Sequence, residues 1–431
     1  MPDWARASFE RRVPMRMGPW VEIMGVARTV ALKVGGRYLD PMNTGADYSR
    51  ADGAATEALT VLGIETSCDE TAASVVRLSA TGAEVLSSVV YSQITEHAAF
   101  GGVVPEIAAR SHVEMIGGVA ARALAEAGLD YGDLDGVAAT AGPGLVGGVM
   151  VGLSFAKGAA LARDLPLIAV NHLEGHAVSA RLGAEIAYPF LLLLVSGGHC
   201  QLLEVRGIGD MSRLGTTIDD AAGEAFDKIA KAMDLGYPGG PALERLAETG
   251  DGSRFALPRA LLGRKDCDFS FSGLKTAASR LVDTCRTDQD RADLADAVQT
   301  AIARQLTERS ERAMQAYAER HAPALKPPRS ASGAIGPDKM LFVVAGGVAA
   351  NKTVRRTLEA AAARHGFDFV APPLAYCTDN AAMIALAGAE RLAKGLVSDL
   401  DVAARPRWPL DEARATADPV HAKTGRKGAK A

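Results

Sequence analysis

The sequence predicts an α/β protein built from two copies of one plan, with a mostly helical insertion in the second copy. Three observations carry that prediction. Both halves open with strand-like segments around a short turn, Glu65-Thr66-Ser67-Cys68-Asp69 in the first and Val195-Ser196-Gly197-Gly198-His199 in the second. Both then place a strand ahead of a glycine turn and a helix, at Ala141-Gly142-Pro143-Gly144 and at Ala345-Gly346-Gly347. Both close with a strand that leads into a polar-capped helix, at Asn171-His172 and at Cys377-Thr378-Asp379-Asn380.

Taken in order, residues 1–57 differ from the rest: Arg6, Arg11, Arg12 and Arg16 precede an irregular Gly-, Asp- and Ala-rich stretch. No charge-free apolar core follows those arginines, so a secretory signal is not expected. The segment reads as a disordered extension or an over-extended translation start, with Met24 and Met42 in frame. The first half, 58–188, is expected to hold a meander of Thr60–Glu65, Ala72–Leu78 and Glu84–Tyr91. A helix over about Pro105–Ala127 follows, then a strand Gly136–Ala141, a second helix, and a buried strand Leu165–Val170 that runs into a helix at His172.

The second half, 189–400, repeats this with strands Phe190–Val195 and Gln201–Val205, a strand Met340–Val344 and its helix, and a strand Phe367–Ala371 leading to a helix near Thr378. Between them lies the insertion, about 218–322, whose first helix aligns Ala222, Phe226, Ile229, Ala230 and Met233 on one stripe. A Pro/Ser/Ala loop over His321–Asp338 reads as a surface excursion, and 401–431 as a tail ending in Lys423, Arg426, Lys427 and Lys430.

Composition limits the function classes. With 431 residues and 48% hydrophobic content, two core-bearing domains are affordable. Five cysteines without a C-x-x-C pair fit a reducing cytoplasm better than a disulfide scaffold. No segment reaches the roughly 18 uninterrupted apolar residues of a membrane span. A net charge of -4 gives no global basic balance toward nucleic acid, although a local patch stays open.

The chemistry concentrates at His172 and His176. On a helix, positions i and i+4 share a face, so both imidazoles can address one ion. The duplication supplies a third donor, since the counterpart of the His172 helix opens at Thr378-Asp379-Asn380. All three are N-cap types, so a cap is the plain reading, yet Asp379 is placed to meet the imidazoles across the interdomain cleft. Two His and one carboxylate with open positions suit Fe(II) or Zn(II). A zinc peptidase is disfavoured: H-E-x-x-H puts its general base directly after the first His, where this chain has Leu173. Glu174 stands about 200° around the helix from His172.

Glycines at Ser196-Gly197-Gly198 and Gly346-Gly347, with Gly142-Pro143-Gly144 and Tyr237-Pro238-Gly239-Gly240-Pro241, point to a nucleotide cleft in which backbone N–H groups approach an anion. Neither a P-loop nor a dinucleotide fingerprint occurs. The run Ile218 to Lys228 sets four carboxylates in what reads as the opening turns of a helix, where the dipole favours Asp219 and Asp220. Asp227 lies two turns in, suited to a ligand hydroxyl or amine, with a solvated face equally open. For Cys68 and Cys200 a structural thiol is preferred over catalysis.

The motifs Gly63-Ile64-Glu65-Thr66-Ser67-Cys68-Asp69-Glu70-Thr71, Gly102-Val103-Val104-Pro105-Glu106, Asn171-His172-Leu173-Glu174-Gly175-His176, Asp219 to Lys228, Phe269-Ser270-Phe271-Ser272-Gly273-Leu274-Lys275 and Cys377-Thr378-Asp379-Asn380, with the glycine turns, closely resemble the bacterial TsaD family over about Leu59 to Gly395. That resemblance implies an actin-like ATPase superfamily fold of two ribonuclease-H-like halves. It implies one iron or zinc ion on His172, His176 and Asp379. It further implies a threonylcarbamoyl-adenylate site at Leu194, Val195, Ser196, Gly197, Gly198, Asp227, Gly240 and Asn351. The implied activity is transfer of threonylcarbamoyl to N6 of adenosine 37 in tRNAs reading codons that begin with A, in the cytoplasm, with the partner proteins TsaB and TsaE. No protein nucleophile is assigned, so direct transfer is expected. A small-molecule kinase or ATPase of the same superfamily is the alternative, weakened because such enzymes usually carry Asp where the first strand here ends in Glu65. A scaffold that only docks partners is the other.

Overall fold

The computed structural model describes residues 58–321 and 340–417, and, of the preceding segment, the backbone of two short antiparallel strands, β1 (Leu32–Val34) and β2 (Arg37–Leu39). The rest of 1–57, the Pro/Ser/Ala loop beyond His321 and the basic cluster from Lys423 lie outside the described residues.

The first sheet consists of β3 (Leu59–Glu65), β4 (Glu70–Ser79), β5 (Gly82–Ser92), β6 (Gly136–Gly142) and β7 (Leu167–Asn171), in the order β5-β4-β3-β6-β7. The meander is antiparallel, whereas β6 and β7 join parallel to β3. Parallel neighbours need crossovers, and two helices provide them. Pro105–Ala127 begins with proline at its first turn and ends on Gly128 at φ 68°, the left-handed stop that glycine takes without strain. Its Ala108, His112, Ile116, Val119, Ala120 and Ala123 are buried, the i, i+4, i+8 stripe of a helix lying on a sheet. Val146–Arg163 makes the second crossover.

The second sheet repeats the plan with β8 (Phe190–Val195), β9 (Cys200–Gly207), β10 (Asp210–Thr216), β11 (Met340–Ala345) and β12 (Phe367–Val370), in the order β10-β9-β8-β11-β12. Its meander is again antiparallel and its last two strands are parallel. The third strand, β10, had no sequence signal. It is an edge strand rich in weak strand formers and carries two register shifts. The insertion contributes helices Ala222–Ala232, Gly239–Ala247, Ser272–Val282 and the 34-residue Asp288–His321.

The halves interlock through exchanged helices. His172–Val178, which ends the first half, buries Leu173 and Ala177 against Phe190, Leu192 and Leu194 of the second sheet. Ala381–Ala393, which ends the second, packs Ala382, Ala385, Ala389 and Leu392 among Val61, Val76, Ala138 and Ile168 of the first. Glycines set the spacing: a Cβ on Gly63 would lie 2.4 Å from the Ala381 carbonyl oxygen, and one on Gly175 would lie 2.7 Å from Ile384 Cδ1. The two helices therefore touch where their N-terminal ends carry the candidate donors.

Residues 398–411 pack as a strap where the sequence suggests a tail from 401. Arg405 N donates to Ala141 O at 2.7 Å, Asn171 Nδ2 to Trp408 O at 2.8 Å, and Asp411 accepts from Arg213 N at 3.0 Å. Arg405 O would sit 1.8 Å from any Cβ on Gly142, whose φ is 137°, so that turn needs glycine for the strap to pass. No helix among the described residues is long and apolar enough to cross a membrane.

Candidate metal centre and substrate cleft

The histidine helix starts directly after β7. Asn171 caps it, accepting from Leu173 N at 2.9 Å, and puts His172 at its first position with His176 one turn later. At the other side of the contact, Asn380 is the cap of Ala381–Ala393, accepting from Met383 N at 3.0 Å. Of the three cap-type residues there, Asn380 takes that work, and Asp379 is left to face the imidazoles. Asp379 Oδ1 lies 3.0 Å from His176 Nε2 and 3.6 Å from His172 Nε2. One donor atom from each of the three residues falls within 4.8 Å of the others, with both histidines buried and Asp379 partly so. Two imidazole nitrogens and a carboxylate oxygen at that spacing fit a divalent transition metal.

Charges follow from this crowding. For His172, burial works against the imidazolium, but Asp379 and Glu65 outweigh it and raise its pKa to about 9. Burial likewise pushes Asp379 up, and His172 and His176 more than reverse that, holding it below the ordinary carboxylate range. Because the folded pKa of His172 lies above its unfolded 6.5, its contribution to stability is complete below pH 6.5 and is lost as pH rises through about 9. A metal must displace the Nε2 proton, so its affinity is expected to climb through the same window. Metal-free and zinc-loaded chain, melted at pH 6.5, 7.5 and 9, are expected to diverge steadily. Parallel curves would contradict the assignment.

Four further residues beside the centre have no local sequence signal. Glu65, at the end of β3, meets His172 Nδ1 at 2.9 Å, and Ser67 Oγ lies 3.2 Å from the same nitrogen. His199, on the second-half turn, has a buried Nε2 without a partner. Burial first, then His172 and His176, push its pKa down to about 3, so its ring is neutral. Glu70 is pushed well up by burial, then by Asp379 and Asp69. The contacts of Glu65 and Ser67 with His172 span more than 100 residues, so no local pattern announces them.

The turn after β8 adjoins the centre through His199, on which His172, His176 and Asp379 all act. Leu194 and Val195 are fully buried in the sheet, whereas Gly197 and Gly198 are exposed with no atom within 4 Å of a built Cβ. Ser196 closes the hairpin, its N donating to His199 O at 2.8 Å. Gly346 and Gly223 press from behind, where a Cβ would lie 2.4 Å from Val195 O and 2.6 Å from Ser196 O. Gly197 and Asp227 line an open pocket of about 480 Å³ with Lys228, Lys231 and Tyr237, roofed by Gly101–Val103 of the first half. Asp227 Oδ1 accepts from Gly239 N at 3.0 Å and Gly240 N at 3.3 Å, so the Gly240 amide addresses Asp227 itself. Asn351 also works within the protein: it caps Lys352–Arg364 through Val354 N at 2.9 Å and donates to Gln299 at 2.9 Å.

Asp219 and Asp220 precede the helix Ala222–Ala232 rather than opening it. Asp219 accepts from Phe271 N at 2.8 Å and from the Ser270 and Ser272 hydroxyls, while Asp220 pairs with Lys275 at 2.6 Å. They tie the Phe269–Lys275 segment to the helix, which replaces the dipole explanation. Glu174 is held by Arg391 at 3.0 Å and by Gly209 N at 2.7 Å, remote in role from a peptidase base. Burial raises the pKa of both Cys68 and Cys200, which makes them poor nucleophiles.

Two interlocked five-stranded sheets of the same strand order define a protein of the actin-like ATPase fold. A solved structure of full-length HypF in its phosphate- and nucleotide-bound form shares that fold, with TM-score 0.50 and 12% identity over 81% of this chain and 57% of that one. Sequence narrows the class. The TsaD family model, tRNA N6-adenosine threonylcarbamoyltransferase, matches residues 84–386. A Caulobacter vibrioides protein of that name is 69% identical over 86% of this chain and 98% of its own, and one from Maricaulis maris is 58% identical over 88% and 98%. The chain belongs to the TsaD family and is a tRNA N6-adenosine threonylcarbamoyltransferase by class.

Proposed function

We propose that the chain transfers threonylcarbamoyl from threonylcarbamoyl-adenylate to N6 of adenosine 37 in tRNAs that read codons beginning with A, releasing AMP. The observation that carries this reading is the cluster of His172, His176 and Asp379 donors, whose charges act on His199 of the turn that exposes Gly197 and Gly198. His172, His176 and Asp379 would hold one Fe(II), or zinc in its place. When bound, the ion supplies a Lewis acid and an orienting point for the acyl-adenylate.

The chain's own groups do the remaining work. The Gly197 and Gly198 amides of the turn after β8 serve the leaving phosphate, where backbone donors stabilise charge without reorganising. Asp227, fixed by two glycine amides, offers its carboxylate to a substrate hydroxyl or amine. The N6 amine attacks the carbamoyl carbon, a C–N bond forms, the C–O bond to phosphate breaks, and AMP leaves while the amine's proton passes to solvent. No thiol participates, in keeping with the raised Cys68 and Cys200. The protein acts in the cytoplasm with TsaB and TsaE.

The test is mass spectrometry of tRNA nucleosides after reaction of the purified chain with TsaB, TsaE, threonine, bicarbonate, ATP and a threonylcarbamoyladenylate-forming enzyme. Threonylcarbamoyladenosine at position 37 is the expected product. Its absence in an otherwise competent mixture, or a trapped threonylcarbamoyl-enzyme, would overturn the direct-transfer reading.

A further inference from the structure

A carboxylate at the end of β3 is the first candidate for a reactive group in this fold, yet Glu65 has no capacity left for chemistry. It is fully buried. Its Oε1 accepts from Ser67 N at 2.6 Å, and its Oε2 accepts from Thr140 Oγ1 at 2.6 Å while meeting His172 Nδ1 at 2.9 Å. Ser67 N belongs to the loop after β3 and Thr140 to the neighbouring β6, so two separate elements fix the carboxylate before it reaches the histidine. Such a group neither activates water nor binds substrate.

We propose that Glu65 is a positioning residue for the metal centre: it takes the Nδ1 proton of His172 as a hydrogen bond and so turns Nε2 toward Asp379 and the ion. An imidazole has two nitrogens, and which one ligates is set by what the other one bonds. A carboxylate behind a metal-bound histidine fixes the ring's orientation and raises its basicity, and its loss typically weakens metal binding by roughly 10–100-fold. His176 contrasts with it, since its Nδ1 is buried without a partner. Only one of the two imidazoles is therefore oriented from behind, and the arrangement makes His172 the better-fixed ligand. The metal helix is thereby coupled to the first strand of its own half, 107 residues away in sequence.

This inference rests on the metal assignment to His172, His176 and Asp379, and the experiment separates the two. Zinc affinity of the full chain is measured by competition with a chromogenic chelator for the parent, Glu65→Gln, Thr140→Val and Thr140→Ser, each also checked by circular dichroism and melting. The amide of Glu65→Gln keeps the shape but loses the charge, and a 10–100-fold weaker zinc affinity is expected. Thr140→Val leaves both partners but removes one anchor. A several-fold loss is expected there, restored by Thr140→Ser, and it carries the test should Glu65→Gln fail to fold. Parental affinity in folded Glu65→Gln, or in Thr140→Val, overturns the positioning role alone. A parent that takes up no zinc overturns the metal assignment and the role with it.

Discussion

Asp379→Ala is expected to abolish transfer while leaving the fold intact. Asp379 lies in the loop before Ala381–Ala393, and the cap that starts this helix is Asn380, so no helix end loses its partner. What disappears is the oxygen within 3.0 Å of His176 and 3.6 Å of His172. Losing one of three protein ligands exceeds the loss of a hydrogen-bond partner behind a ligand, so zinc affinity should fall by at least about 100-fold. Lewis-acid stabilisation is worth several kcal/mol, which corresponds to on the order of 10³-fold in rate. Nucleoside mass spectrometry of the reconstituted reaction should therefore show at most traces of product, with a melting temperature near that of the metal-free parent at pH values above 9, where the His172 charge that Asp379 stabilises is already lost. A variant that retains one equivalent of metal, or modifies tRNA at the parental rate, would sink the assignment.

How far the sequence could carry this depended on the range of the interactions. The crossover helix Pro105–Ala127 matches its sequence-based bounds because proline, a periodic stripe and a glycine stop are all local signals. The pairing of Asp379 with two histidines about 200 residues earlier was accessible only through the repeat, which converted a distant contact into a matching position. Nothing comparable existed for Glu65 and His172, since a glutamate ending a strand has no periodicity and no counterpart in the other half. The strap at 398–411 was equally hidden. It is held by backbone bonds such as Arg405 N to Ala141 O, which any residue can make. Asn351, singled out through family resemblance, also has a structural task that its cap position before Lys352–Arg364 explains, with a second bond to Gln299 that only the fold reveals.

The glycines beside the site motifs give the second large effect, and they bear on packing rather than on phosphate. Gly63→Ala is expected to destabilise the chain by about 3 kcal/mol or more, because its Cβ would lie 2.4 Å from Ala381 O, 2.5 Å from Ala385 N and 2.8 Å from Ala385 Cα. These are backbone atoms, so no rotamer change relieves the clash. Helix Ala381–Ala393 must move off the first sheet, and Asp379 at its start moves with it. Zinc affinity and stability should thus fall together even above pH 9, where Asp379→Ala lowers affinity alone. Gly117 provides the control: it lies inside helix Pro105–Ala127 with nothing within 4 Å of a built Cβ. There alanine is expected to stabilise by roughly 0.5–1 kcal/mol through backbone entropy. Denaturant unfolding of both variants, with zinc competition on each, reads the two effects side by side. A Gly63→Ala chain as stable as Gly117→Ala would mean that the exchanged helix does not bear on the sheet through Gly63, and with that the packing origin of the Asp379 position would fall.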